Sequence, residues 1–170
     1  SLSALVTMMT ADASGFDLDR HNVFFSNDYP REFREIFGKG ELPSSPSVYI
    51  CAQDRGLRPP PPGPERFQII VNAPASGDRR QFAPGEIETC QQATFAALSR
   101  CGLTLRPTST TPVSPAMFEA LFPSTGGALY GRVSHGWRAS FRRPGSRSGL
   151  AGLWLAGGSA HPGAGVPMAA

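Results

Sequence analysis

Ser159 and His161, two residues apart, are the first pair in this sequence that could do chemistry, as nucleophile and base. Side chains at i and i+2 rarely converge, and Ser159 is not set in a G-x-S-x-G elbow, so an acyl-transfer hydrolase is a poor reading. Metal chemistry fares no better. His21, His135 and His161 have neither helical ligand spacing nor cysteine partners, and Cys51, Cys90 and Cys101 stand singly. The histidines read as structural residues, the cysteines as buried small hydrophobes of a reducing cytoplasm. What remains is chemistry done by the backbone. Leu153 to Ala156 reads as a short buried strand that stops at Gly157 and Gly158, and Gly163-Ala164-Gly165-Val166-Pro167-Met168 reads as the opening of a helix. Strand, glycine turn and helix N-terminus together bring peptide N–H groups against an anion or a flat polar ring. As a dinucleotide fingerprint the string is incomplete, with Pro167 inside the turn and Met168 where the last glycine belongs.

The elements that must position this tail read as a mixed α+β arrangement. Ser3 to Met9, Asn22 to Ser26, Ser47 to Gln53, Phe67 to Asn72 and Leu103 to Val113 are strand-like, with Asp12 to Asp19 a turn. Asp28 can cap a helix over Pro30 to Phe37, whose Phe33, Ile36 and Phe37 fall on one expected inner face. The clearest helix runs from Pro84 or Gly85 to about Cys101 with Ile87, Thr94, Leu98 and Cys101 inward, and Gly102 stops it. A shorter one, Pro115 to Phe122, carries Met117, Phe118, Leu121 and Phe122, an apolar set expected in a core. Pro59 to Pro62 cannot donate to a ladder and reads as an exposed connector.

With 170 residues the chain can bury one ordinary core. It opens on Ser1 and stops inside its own glycine motif, so it reads as an internal or C-terminal piece of a longer protein. No run approaches the ~20 apolar residues of a membrane span. All but Lys39 of the 16 basic residues are arginine, and no acid follows Glu119. Nucleic acid is a poor partner for these arginines, which are not interleaved with aromatic platforms.

Longer strings are more specific. Gly127 to Arg132, Ser134-His135-Gly136, Phe141 to Pro144 and Gly152 to Pro167, with His21 to Tyr29 and Pro46 to Arg55 upstream, resemble the phytoene desaturase-type carotenoid desaturases. Within that family they look like the bacterial hydroxycarotenoid 3,4-desaturases. The resemblance covers essentially the whole chain. It implies a FAD-dependent oxidoreductase of carotenoid biosynthesis that desaturates a C40 polyene by hydride transfer to flavin. Residues 1–122 would be the substrate-binding region and 123–170 the C-terminal part of the FAD-binding domain. Gly157 and Gly158 would approach the phosphates or ribitol, and Gly165, Val166, Pro167 and Met168 the flavin ring.

The partner that grips the ADP half would be an N-terminal Rossmann segment, since these residues hold no complete G-x-G-x-x-G unit. Met168 departs from the glycine common in relatives. The resemblance assigns no general base, although Tyr130 and His135 lie near the motif. A cytoplasmic protein is implied, meeting its substrate at the inner membrane surface. Three alternatives stay open: a carotene isomerase, a retinol saturase-like reductase, and a non-catalytic carotenoid- or lipid-binding module.

Overall fold

The computed structural model describes residues 1–56, 62–131, 144–158 and 160. The chain divides into two compact units, one of residues 2–128 and one from Leu129 onward. In the first, the elements run β1 (Leu2–Gly15), β2 (His21–Phe24), α1 (Tyr29–Phe33) leading into a π-helical segment (Arg34–Lys39), β3 (Val48–Ala52), β4 (Glu65–Pro74), α2 (Pro84–Arg100), β5 (Leu103–Val113) and α3 (Pro115–Leu121). The five strands form one antiparallel sheet in the order β2-β3-β4-β1-β5. The class is mixed α+β, as the sequence implies.

Period-two alternation builds the core. Leu5, Met9 and Ala11 of β1, Val48, Ile50 and Ala52 of β3, and Phe67, Ile69 and Val71 of β4 pack with Cys90 and Leu98 of α2. Each large apolar side chain buried in this way contributes about 1.5–3 kcal/mol. Pro84 opens α2, the Glu86 carboxylate accepts the Ala83 N–H at 2.9 Å, and Gly102 at φ +85° ends it. The helix buries Cys90, Thr94 and Leu98 and leaves Ile87 half-buried. Cys101 is exposed, so it is neither part of the inner face nor the buried hydrophobe expected of it.

Three further expectations are corrected. The turn placed at Asp12 to Asp19 begins later, because β1 stays paired with β5 until Gly15 meets Leu103. The ladder accommodates Pro107, which has no N–H to give, through a register shift between Thr10 and Ala11, and Thr108 Oγ1 donates to the Thr10 carbonyl at 3.0 Å.

The helix after Asp28 turns a different face inward. Glu32, Glu35 and Ile36 are buried, whereas Phe37 is 55% exposed. Glu32 accepts the Ser47 N–H and a proton of Asn72 Nδ2, each at 2.9 Å, so this buried carboxylate is satisfied by donors from the loop before β3 and from β4. The rings of Tyr29, Phe33 and Phe37 pack on one another outside, with centroids 4.9 and 5.7 Å apart. In α3 the apolar set is not core either. Only Pro115 is buried, and Leu121 and Phe122 are 67% and 64% exposed. What anchors this helix is polar: the Glu119 carboxylate accepts the N–H groups of Ser124, Thr125 and Gly127.

Candidate functional site

The glycine turn of the second unit is the first candidate. Leu153 to Ala156 does not form a buried strand. Trp154 makes a single antiparallel bridge with Arg147, supported by Ser148 N–H to the Leu153 carbonyl (3.3 Å) and Leu155 N–H to the Ser146 carbonyl (2.7 Å). A two-stranded ribbon buries little, and Leu153, Trp154 and Leu155 stay 49%, 61% and 38% exposed. The Arg147 guanidinium lies 5.4 Å from the Trp154 ring centroid.

Gly157 follows at φ +130°, a conformation that L side chains rarely adopt, and its carbonyl accepts the Ala160 N–H at 3.1 Å. Among the described residues nothing lies within 4 Å of the position a Cβ would take at Gly157. Gly158 completes the turn. Gly165, Val166, Pro167 and Met168 lie outside the described residues, as do Ser159, His161, His135 and Arg132. The connector prolines 59–61 do too, while Pro62 is exposed.

The second candidate is the sheet face turned away from the core cluster. Register places Val23, Tyr49, Ile70, Val6 and Val113 side by side across all five strands. At ~4.8 Å per strand this row is roughly 19 Å long. The next row is His21, Cys51, Gln68, Met8 and Thr111, and beyond it lie Arg66, Thr10 and Ser109. The face thus grades from apolar to polar over two pleats. Val23 is 53% exposed and Met8 40%, and Tyr49, Cys51, Gln68 and Ile70 are half-buried. Across β2 and β3, His21 Nδ1 and Tyr49 Oη are 2.7 Å apart, with their rings stacked at 6.1 Å and 21°. His21 thus has a hydrogen-bond partner within the sheet, in keeping with its reading as a structural residue.

Among the described residues no group of His, Cys, Asp or Glu could hold a metal ion. Burial pushes the Cys90 thiol up to about 12, so it is no nucleophile near neutrality.

No family model matches the chain. Over its full length it is 54% identical to a hydroxyneurosporene desaturase of Rubrivivax gelatinosus and 48% identical to one of Cereibacter sphaeroides. Over 99% of its length it is 32% identical to a 1-hydroxycarotenoid 3,4-desaturase of a Flavobacterium. The chain spans about a third of the length of these curated relatives, 33%, 34% and 35% respectively.

Proposed function

We propose that this chain, homologous along its whole length to the carotenoid desaturases, is the C-terminal third of a FAD-dependent oxidoreductase that desaturates a hydroxylated C40 polyene. The observation that carries the reading is the 54% identity over the full chain to a hydroxyneurosporene desaturase. Desaturation takes a hydride and a proton from adjacent carbons, and bound FAD supplies the two-electron acceptor.

The residues of this chain have two tasks. Gly157 and Gly158, with Gly165, Val166, Pro167 and Met168, hold the cofactor through backbone groups, and the open side of Gly157 suits that role. Residues 123–170 then complete a cofactor domain whose Rossmann half comes from the same protein. Residues 1–122 bind the polyene. The row of Val23, Tyr49 and Ile70, which ends against buried Val6, offers a short apolar track that lays a stiff polyene flat, excludes water and fixes its register. A substrate dissolved in lipid makes a cytoplasmic enzyme that meets the inner membrane at its surface the fitting arrangement. Among the described residues no helix is long and apolar enough to cross a membrane.

The test is to purify the complete protein, record its visible spectrum and incubate it with hydroxyneurosporene. Flavin absorbance and a product with one more double bond are expected. A flavin-free active protein, or a product that is only an isomer, overturns the reading.

A further inference from the structure

We propose that the aromatic stripe along α1 and the π-helical segment after it, Tyr29, Phe33 and Phe37 with Phe25 before them, is the surface by which this protein docks on an anionic phospholipid bilayer. The inference rests on the function proposed above at one point only, that the substrate is dissolved in lipid.

The four rings form a continuous row, with successive centroids 6.3, 4.9 and 5.7 Å apart. Phe25, Tyr29 and Phe37 are 72%, 45% and 55% exposed, and Phe33 is half-buried. Residues four apart in an α-helix drift around its axis by about 40° each time. The wider π-helical winding of Arg34–Lys39 counters that drift and leaves the Phe37 ring within 17° of parallel to Phe33. Such windings are rare and are found often at functional sites.

Charge is sorted to match. Within Tyr29–Lys39 both acids, Glu32 and Glu35, are buried, whereas Arg31, Arg34 and Lys39 are exposed. Arg31 Nε reaches Glu35 at 2.9 Å, and Asp28 and Glu41 flank the segment, 3.8 Å from Arg34 and Lys39. Exposed pairs as long as the last two hold a cation only weakly. At the Phe25 end, exposed Arg100 of α2 lines a cavity of about 150 Å³ with Phe25 and Asn27. Rings and cations therefore share one segment, turn by turn. A protein partner would have to take those cations into an interface whose core is normally depleted of charge. The headgroup layer of a bilayer accepts both at one depth, rings at the acyl boundary and cations against phosphates.

The experiment floats the complete protein with vesicles of phosphatidylcholine, alone or mixed three to one with phosphatidylglycerol. The wild type should float with the anionic vesicles, less with the neutral ones, and bind less as salt rises. Phe25→Ser with Phe37→Ser should lower the partition at least about tenfold on both. Arg34→Gln with Lys39→Gln should lower it about tenfold on the anionic vesicles only. Leu121→Ser with Phe122→Ser, which removes two exposed apolar side chains of α3, should leave it unchanged.

A wild type that floats with neither vesicle overturns the inference, as does a partition that both stripe variants leave intact or that the α3 variant lowers equally. A stripe covered by another part of the protein would show as a lower melting temperature in Phe25→Ser with Phe37→Ser at unchanged partition, and that result overturns it too. If this variant does not fold, Arg34→Gln with Lys39→Gln decides, since both side chains are exposed. A protein that desaturates detergent-dispersed hydroxyneurosporene yet does not float defeats this inference alone. One that is flavin-free and inactive but floats through the stripe defeats the functional reading and upholds the docking surface.

Discussion

Arg55 and Glu65 clasp each other across the β3–β4 connection. Arg55 Nε lies 2.8 Å and Nη2 2.9 Å from the two Glu65 carboxylate oxygens, a fork-to-fork pair with side chains only 18% and 8% exposed. Arg55 Nη1 also donates to the Leu18 carbonyl at 3.0 Å. One guanidinium therefore ties the end of β3, the start of β4 and the turn after β1. The hydrogen bonds that Arg55 donates to Glu65 raise the Arg55 pKa further, although burial opposes this.

Removing one half of this pair should hurt more than its net worth, because the other charge stays behind without a partner. Arg55→Ala is expected to lose about 2–4 kcal/mol of stability. Arg55→Lys keeps the charge without the fork and should lose less. Urea unfolding of the two variants checks this, and equal midpoints would show that the fork geometry contributes nothing.

Glu35 gives the fold a dependence on acid. Burial pushes its carboxyl up, but the Ser44 N–H at 2.8 Å, Arg31 Nε at 2.9 Å and the Ser44 hydroxyl at 2.9 Å more than reverse that. The net direction is down. A carboxylate with a lowered pKa in the folded state contributes stability that is full above its unfolded pKa, roughly 4.3. That contribution drains away as the pH falls through the lower folded value. Glu35→Gln should be less stable than the wild type at pH 7 and should show a flatter loss of stability between about pH 5 and pH 2. Chemical denaturation at a series of pH values reads both effects, and parallel curves would remove Glu35 from the acid response.

Gly127 joins the chain after α3 to β1. Its N–H donates to the Glu119 carboxylate at 3.2 Å, and Ser3 Oγ donates to its carbonyl at 2.5 Å. It sits at φ +72°, and a Cβ there would collide with the Pro115 carbonyl oxygen. Gly127→Ala therefore combines left-handed strain with a backbone clash and should cost about 2–4 kcal/mol. Gly85→Ala is the control, since nothing lies within 4 Å of a Cβ there and the position is helical. It is expected to stabilise by up to ~1 kcal/mol. Thermal melts that shift alike for both would contradict the assignment.

Where the sequence was legible, local chemistry and tertiary packing agreed. The strand Leu103 to Val113 lies between a glycine stop and a helix-opening Pro115, and the helix ending at Gly102 carries its own cap residues; both stand where the sequence placed them. The readings that failed depended on distant partners. Nothing local reveals that Ser44, Ser47 and Asn72 would gather around Glu32 and Glu35 and draw those carboxylates inward, leaving Phe37 outside. The apolar run at Leu153 to Ala156 looks like a core strand, but Arg147 is its only bridge partner among the described residues. Of the glycines proposed for the cofactor site, Gly157 sits at a positive φ of +130°. The open sheet face was readable in principle from parity alone. Its His21–Tyr49 contact was not, because it depends on the register between two short strands.

The three cysteines offer a direct probe of both the fold and the polyene face. Cys90 is buried under α2 with its Sγ 3.8 Å from the Pro43 carbonyl, and burial lifts its thiol to about 12. Cys101 is exposed at the end of the same helix, and Cys51 is half-buried on the open face between His21 and Gln68. Only a thiolate attacks a disulfide reagent, so exposure and pKa together set the order of reaction. At pH 8 an aromatic disulfide should label Cys101 first and Cys51 more slowly, and Cys90 only after denaturant is added. Counting thiols by absorbance with time in Cys101→Ser and Cys51→Ser variants assigns each phase. Bound polyene should then slow the Cys51 phase and spare the Cys101 phase, because a ligand lying along Val23, Tyr49 and Ile70 covers the neighbouring pleat but not the helix end. Protection of neither cysteine would place the polyene elsewhere on the molecule.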